Sequence, residues 1–414
     1  MHNTHSVELA RQLMLVPVLV GLIGCEQQAT EHPCQEENHC VRQDGEVMCE
    51  DGYTWEDPND SDNYNCVATS SNESERADAG SAEDDNSYDF TTAHPWFPCP
   101  SELDPNVTEV TAFDQEYQYF GTENRREVEA DVNFPETEQW AQVGLWFQLQ
   151  CPDSGLCDHW DRAGSLQLVL NPSAPVEERQ SVELLRHITP YRIAMCQYID
   201  VTPLARLLKG QQTLSSWIDT WVGPGHSNGE GWKVTAKFIF YPGPRAAADE
   251  VVNIWGRRSI TVGQVAPEEN VDSQIEPAVV EIPSNAQQVL AHVTTTGHSF
   301  GNTGNCAEFC EMRHDLLVNG QVATSINPWR PDCARNPVSP QYGTWEYPRN
   351  GWCPGAVSVG HVFDMTDWVI PGQEAEIDFD ILLENGTEYH NLSPVDLLPY
   401  TMASLKLYIY TSDD

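Results

Sequence analysis

The stretch Val143–Leu149, VGLWFQL, presents Val143, Leu145, Phe147 and Leu149 to one side and Gly144, Trp146 and Gln148 to the other. Strict alternation of this kind is the mark of a β-strand with one face against a core. Working outward, the pattern recurs at Ser165–Leu170 (SLQLVL), Trp232–Tyr241 (WKVTAKFIFY), Glu376–Leu382 (EIDFDIL) and Ser404–Tyr410 (SLKLYIY). Gly, Pro and Asn breaks separate these runs from about Pro95 onward, and Pro203–Leu208 alone reads as helical. The fold class is therefore all-β. About 320 residues of this texture exceed one sandwich, so two β-domains are expected in tandem, meeting near Pro242–Asp249.

Composition bounds the function. The 414 residues carry 63 acidic against 21 basic side chains, a net charge of −42. Nucleic acid is excluded as a partner, because phosphate binding needs Lys and Arg to displace counterions. An electrostatic hold on anionic lipid is excluded on the same ground. With 40% hydrophobic residues and 13 Trp the chain can still bury substantial cores. Thirteen cysteines point to an oxidising compartment, and the odd count gives one of them a separate job.

That job is read at the N-terminus. Leu13–Gly24 is an apolar run of 12 residues, too short to span a bilayer and suited to a signal h-region. It ends in Leu22-Ile23-Gly24-Cys25, a lipobox pattern, which makes Cys25 the lipidation site of an exported lipoprotein at the outer membrane or cell surface of a bacterium. Cys34, Cys40, Cys49 and Cys66 then form a small, weakly EGF-like knot with Cys49-Glu50-Asp51-Gly52-Tyr53. The following Ser, Asp, Glu and Gly stretch has almost no large apolar residues and reads as a linker. The expected organisation is a signal peptide at 1–24, the cysteine module at 25–67, the linker at 68–94, and β-domains at 95–246 and 247–414. Residues 26–98 hold about 19 acids against two basic residues, but the β-domains are acidic too.

Eight cysteines fall in the β region: Cys99, Cys151, Cys157, Cys196, Cys306, Cys310, Cys333 and Cys353. A structural zinc site would want a C-x₂-C repeat or His partners, and neither H-x-H nor H-E-x-x-H occurs, so disulfides are favoured and no metal is implied. A short ring removes only about 2 kcal/mol of unfolded-state entropy, against over 4 kcal/mol for a loop near a hundred residues. Short rings are better suited to fixing a turn than to stabilising a domain. What stands at these turns is Asp158-His159-Trp160-Asp161-Arg162 after the first pair, Glu308 inside the second, and Arg349-Asn350-Gly351-Trp352 before Cys353. Fixed carboxylates, guanidinium forks and indole faces suit sugar binding and shared proton transfer. For any one of these acids a plain surface role is the simpler reading; recurrence at three corners favours a carbohydrate-active site.

At these residues the chain resembles the bacterial peptide-N-glycosidase F family. The matching stretches are Cys157-Asp158-His159-Trp160-Asp161-Arg162, Ile188-Thr189-Pro190-Tyr191, Cys306-Ala307-Glu308-Phe309-Cys310 and Arg349-Asn350-Gly351-Trp352-Cys353-Pro354-Gly355, from about Glu102 to the C-terminus. The resemblance implies two side-by-side eight-stranded antiparallel jelly rolls with the site at their interface. It also implies disulfides Cys151–Cys157, Cys306–Cys310 and Cys333–Cys353, which leaves Cys99 and Cys196 to pair. By the same carry-over Asp161 is the principal catalytic residue, Glu308 the second acid working through water, and Asp219 the third, where the family has Glu. Arg162, Arg349, Trp160, Trp221, Trp352 and His298 fall at substrate-binding positions. Two further departures are Thr296-Gly297-His298-Ser299 in place of G-W-G-H and Phe309 in place of Trp.

The implied activity is hydrolysis of the amide between asparagine and the innermost N-acetylglucosamine of N-linked glycans. The partners are N-glycoproteins or N-glycopeptides bearing a chitobiose core, a monomer is expected, and no cofactor is called for. A non-catalytic N-glycan-binding lipoprotein of the same fold is the main alternative. A glycoside hydrolase also fits paired carboxylates, and a copper monooxygenase would need clustered ligands where His187, His292, His314 and His361 are scattered.

Overall fold

The computed structural model describes residues 96–263, 271–393 and 398–412, together with the strand residues 40–43, 46–49, 53–55 and 66–68. The signal segment, Cys25, Cys34 and residues 69–95, which include the linker, lie outside the described residues. The chain divides into two compact units, Met1–Asp84 and Asp85–Asp414. In the first, β1 (Cys40–Gln43) pairs antiparallel with β2 (Glu46–Cys49), and β3 (Tyr53–Trp55) with β4 (Cys66–Ala68).

The second unit is built from two antiparallel sandwiches. The first contains β5 (Thr108–Gln118), β6 (Glu127–Phe134), β7 (Trp140–Gln150), β8 (Ala163–Val169), β9 (Ser181–Ile188), β10 (Met195–Asp200), β11 (Gly210–Ile218) and β12 (Trp232–Pro242). The second follows with β13 (Glu250–Thr261), β14 (Ala278–Glu281), β15 (Ala286–His298), β16 (Met312–Val318), β17 (Gln321–Ile326), β18 (Trp329–Arg330), β19 (Arg349–Asn350), β20 (Ala356–Ser358), β21 (His361–Asp364), β22 (Glu374–Leu383) and β23 (Tyr400–Thr411). One sheet of the first sandwich runs β10-β7-β12-β5 and the other β20-β9-β8-β11-β6; the second stacks β13-β23-β15-β21 on β14-β22-β16-β17.

The alternation seen in the sequence is what fills these cores. Val143, Leu145, Phe147 and Leu149 of β7 are all fully buried, and they meet Val234, Ala236, Phe238 and Phe240 of β12 in the first core. Each large side chain so buried contributes about 1.5–3 kcal/mol. The segment at Pro203–Leu208 is a 3-10 turn, Thr202–Leu207, and one α-helical turn occurs at Val271–Gln274.

Two features tie the sandwiches together. Strand β20, from the second half of the chain, adds to the first sandwich by pairing Ala356–Ser358 with Arg186–Ile188 of β9. Beside it, a buried polar cluster crosses the seam. Arg186 binds Glu183 through Nε and Nη2 at 2.6 and 2.7 Å and reaches Thr296 Oγ1 and the Met402 carbonyl, both at 3.0 Å. Ser404 Oγ donates to Glu183 from the other side. Such a pair adds little net stability, but losing one partner would leave a buried charge unpaired.

Candidate active site at the seam of the two sandwiches

The first sandwich supplies the segment between β7 and β8. The Cys151–Cys157 disulfide closes its start, and Asp158, fully buried, organises the remainder. Asp158 accepts from the Trp160 amide at 3.1 Å, from Arg162 Nε at 3.0 Å and from Thr220 Oγ1 at 2.7 Å. Thr189 stitches the other side, accepting from the Arg162 amide at 2.8 Å and donating to the Trp160 carbonyl at 3.0 Å. Asp161 is thereby held between two fixed neighbours. Nothing in the local pattern marks Asp158 as the organiser, because its partners lie up to 62 residues away.

The second sandwich supplies the Cys306–Cys310 ring between β15 and β16. Glu308 inside it is 8% exposed. Its Oε2 accepts from the Ser299 amide at 3.1 Å, and its backbone carbonyl accepts from the Asn350 amide at 2.9 Å. The ring lies directly on β15: a Cβ at Gly297 would fall 2.1 Å from the Ala307 carbonyl oxygen, so only glycine fits there.

Arg349 of β19 joins the halves. Its side chain is completely buried; Nε donates to Glu308 Oε1 at 3.3 Å and Nη2 to Asp161 Oδ2 at 3.4 Å. Nη1 donates to the Thr344 and Tyr347 carbonyls and Nη2 also to the Thr344 hydroxyl, each at 2.9 Å, with the Tyr191 hydroxyl 3.4 Å from Nη2. The Trp352 and Phe309 rings lie 4.7 and 5.1 Å from the guanidinium carbon. One buried cation therefore serves two carboxylates that keep only a small opening to water. Burial raises Asp161 above the usual carboxylate range, opposed by Arg349 and by a hydrogen bond from Tyr191. Glu308 is pushed up to about 8, first by burial and then by the charge of Asp161. Both carboxyls are raised, and the charge of Asp161 is one cause of the rise at Glu308, so Asp161 is the first of the pair to lose its proton.

Comparison with known proteins agrees with this geometry. The family model described as peptide-N-glycosidase F, C terminal, matches residues 266–378, which span the Glu308 ring and Arg349. The peptide-N(4)-(N-acetyl-beta-D-glucosaminyl)asparagine amidase F of Elizabethkingia miricola is 24% identical over 297 residues, covering 68% of this chain and 80% of that protein. Together these matches support a place in the peptide-N-glycosidase F family. The structure of PNGase F, a glycosylasparaginase from Flavobacterium meningosepticum, superimposes with a TM-score of 0.63 at 19% identity, covering 74% of this chain and 97% of that one. PNGF-II gives 0.59 at 15% identity, over 74% and 66%. Both structures show the same fold, the paired β-sandwiches of peptide-N-glycosidase F.

Within that family frame, the third acid lies to one side. Asp219 follows β11; its Oδ1 meets Arg126 Nη1 at 3.4 Å, and burial raises it against a hydrogen bond from Trp221 and the charges of Arg126 and Arg162. Arg126, absent from the sequence-derived site, also lies 4.3 Å from the Trp221 ring and 4.9 Å from Phe120. A cavity of about 310 Å³ opens beside Asp219, lined by Trp217, Ser259, Thr261, Leu398, Tyr400 and Met402. Tyr400, which lines this cavity, is pushed up to about 12, chiefly by burial and then by the charges of Asp219 and Glu308.

The indoles divide into two kinds. Trp160 and Trp221 are 42% and 50% exposed and offer open faces for a sugar ring. Trp352 is not an open face: it is 2% exposed, donates from Nε1 to the Gly297 carbonyl at 2.6 Å, and forms a wall for Arg349. His298 is likewise buried, stacked 5.5 Å from Trp352 and 5.1 Å from Tyr400 and bonded to Thr296 Oγ1 at 2.8 Å. Burial pushes it down to about 3, so it is neutral at physiological pH. Both residues lie under the site, where packing rather than sequence neighbours decides exposure. The remaining pairs are Cys99–Cys196 and Cys333–Cys353. Among the described residues, no group of three or more His, Cys, Asp or Glu is placed to hold a metal ion.

Proposed function

We propose that this protein is a glycoamidase that hydrolyses the amide between asparagine and the innermost N-acetylglucosamine of N-linked glycans. The observation that carries the reading is the convergence of Asp161 and Glu308, one from each sandwich, on the single buried guanidinium of Arg349. An amide is a poor electrophile, so its hydrolysis needs a base for the attacking water and an acid for the leaving nitrogen. The ionised Asp161 takes a proton as the water oxygen bonds to the side-chain carbonyl carbon. Arg349 and the Ser299 amide hold Glu308, whose proton passes to the nitrogen as the C–N bond breaks. The products are aspartate in the peptide and a glycosylamine that later loses ammonia; the two carboxyls regain their starting states by exchange with water. Trp160, Arg162 and Trp221 line the approach and suit the chitobiose core.

The test is the peptide mass after incubation with a denatured N-glycoprotein. A gain of about 1 Da at each released site, amide becoming acid, with the glycan intact supports amidase action. A sugar remnant on asparagine would point to a glycosidase. Binding without release would point to the glycan-binding alternative, for which the shorter Asp219 is the one favouring feature. We further infer from the lipobox that Cys25 anchors an exported monomer at the outer membrane or cell surface; loss of acyl labelling in Cys25→Ala tests the anchor.

A further inference from the structure

Arg126 stands between β5 and β6, in the hairpin that Phe120 and Asn124 close. That hairpin is bound at two points to the segment leaving β11. The Ile218 amide donates to the Arg126 carbonyl and the Phe120 amide to the Val222 carbonyl, both at 2.9 Å. The Arg126 carbonyl also accepts from Gln118 Nε2 at 2.7 Å. Bonds to the main chain thus place the arginine, and its side chain is left to act on what lies between Ile218 and Val222.

That side chain is 21% exposed. Nε donates to Asn124 Oδ1 at 3.0 Å and Nη1 to Asp219 Oδ1 at 3.4 Å. The guanidinium carbon lies 4.3 Å from the centre of the Trp221 ring and 4.9 Å from that of Phe120, and the two rings meet edge to face at 5.2 Å. Trp221 is nevertheless 50% exposed. With one indole face against the guanidinium, the open area belongs to the opposite face. Thr220, between the acid and the indole, donates instead to Asp158 at 2.7 Å, the residue that organises the Asp161 loop. Asp219 and Trp221 therefore share one cation, while Thr220 ties the same segment to the catalytic loop.

A sugar that stacks on a mobile indole must immobilise it, which costs binding free energy; an indole already held by a cation presents its face at lower cost. A guanidinium suits this task better than an ammonium, because its plane stacks on the ring while its N–H groups reach a carboxylate. We propose that Arg126 is a positioning residue of the glycan site, holding Trp221 and Asp219 together as one preset surface for the chitobiose core. The proposal rests on the reading of this seam as an N-glycan site. An arginine that served only the stability of its hairpin would not be coupled to Trp221 in binding.

The experiment measures binding of a chitobiosyl-asparagine peptide by calorimetry in the full chain carrying Asp161→Asn, with a double-substitution cycle at Arg126 and Trp221. Arg126→Ala and Trp221→Ala should each weaken binding about five- to tenfold, the range expected of a cation–π contact and the platform it holds. Together they should weaken it little more than Trp221→Ala alone. Arg126→Lys, which keeps the charge without the flat stack, should recover only part of the affinity, and it replaces Arg126→Ala in the cycle if that variant does not fold. Losses that multiply, a folded Arg126→Ala that binds as its parent does, or a parent that binds no glycopeptide overturn the proposal. Conversion of the same peptide by the wild type is scored separately. If the wild type releases the glycan while the losses multiply, the amidase reading stands without the Arg126 role. If the losses are shared while the wild type converts none, the Arg126 role stands and the amidase reading fails.

Discussion

Arg349 and Glu308 meet at 3.3 Å, Nε to Oε1, across the join between a two-residue strand and the Cys306–Cys310 ring. The same guanidinium reaches Asp161 on the other sandwich, so the relative position of the two acids depends on one side chain.

Arg349→Met should therefore damage stability and activity together. Both carboxylates would remain buried without their counter-charge, and breaking a buried pair in this way costs about 3–5 kcal/mol. Urea unfolding at pH 7 measures the loss. Arg349→Lys keeps the charge but not the fork, and should recover more of the stability than of the rate.

Glu308 sets the alkaline side of the pH response. The rate should fall as pH rises through about 8, where Glu308 loses the proton it gives to the leaving nitrogen. Stability follows the same direction: the folded protein holds a proton that the unfolded chain releases near the ordinary carboxylate range. The corresponding contribution is complete below about pH 4 and is lost as pH rises through about 8. Glu308→Gln, uncharged throughout, should show a shallower loss of stability between pH 5 and 9. Its kcat should be about 10²–10⁴-fold lower, the usual worth of one acid–base group.

The two kinds of disulfide should separate stability from catalysis. Replacing Cys306 and Cys310, only 4 apart in sequence, by serine should cost about 2 kcal/mol of chain entropy but a large share of kcat, because Glu308 loses its frame. Replacing Cys99 and Cys196, 97 apart, should cost about 4–5 kcal/mol while the remaining folded protein keeps its kcat. Denaturation and initial rates on the same samples check the contrast.

Much of this architecture is legible in the chain, and the reason is local. Alternation in VGLWFQL or SLKLYIY reports which face of a strand is buried, and β7 and β23 bury those faces. The acids and arginines stand out because they sit beside cysteines at short spacing. What the chain does not reveal is long-range: Arg349 meets Glu308 across 41 residues and Asp161 across 188. No periodicity marks an arginine in a two-residue strand as fully buried, or an indole such as Trp352 as a wall beneath the site. Arg126 and Thr344 are silent for the same reason, as is the crossing of β20 into the first sandwich. Of the scattered histidines, His187 and His314 are buried and His292 half-buried, and all three are pushed down to about 3, in keeping with neutral structural roles.

Asp219 offers a smaller test. With Arg126 at 3.4 Å and open volume beside it, the carboxylate has room to extend by a methylene. Asp219→Glu should hold or raise kcat/KM on a glycopeptide. A loss of more than about tenfold, ~1.4 kcal/mol of transition-state stabilisation, would show that the site is built around the shorter acid.

The central claim is tested most directly by following one asparagine-linked glycopeptide through the wild type and Asp161→Asn. The account predicts that the wild type releases the intact glycan and leaves aspartate, a gain of about 1 Da on the peptide, while the folded Asp161→Asn variant still binds the glycopeptide and converts essentially none. Full conversion by Asp161→Asn, or a wild type that leaves asparagine unchanged, would contradict it.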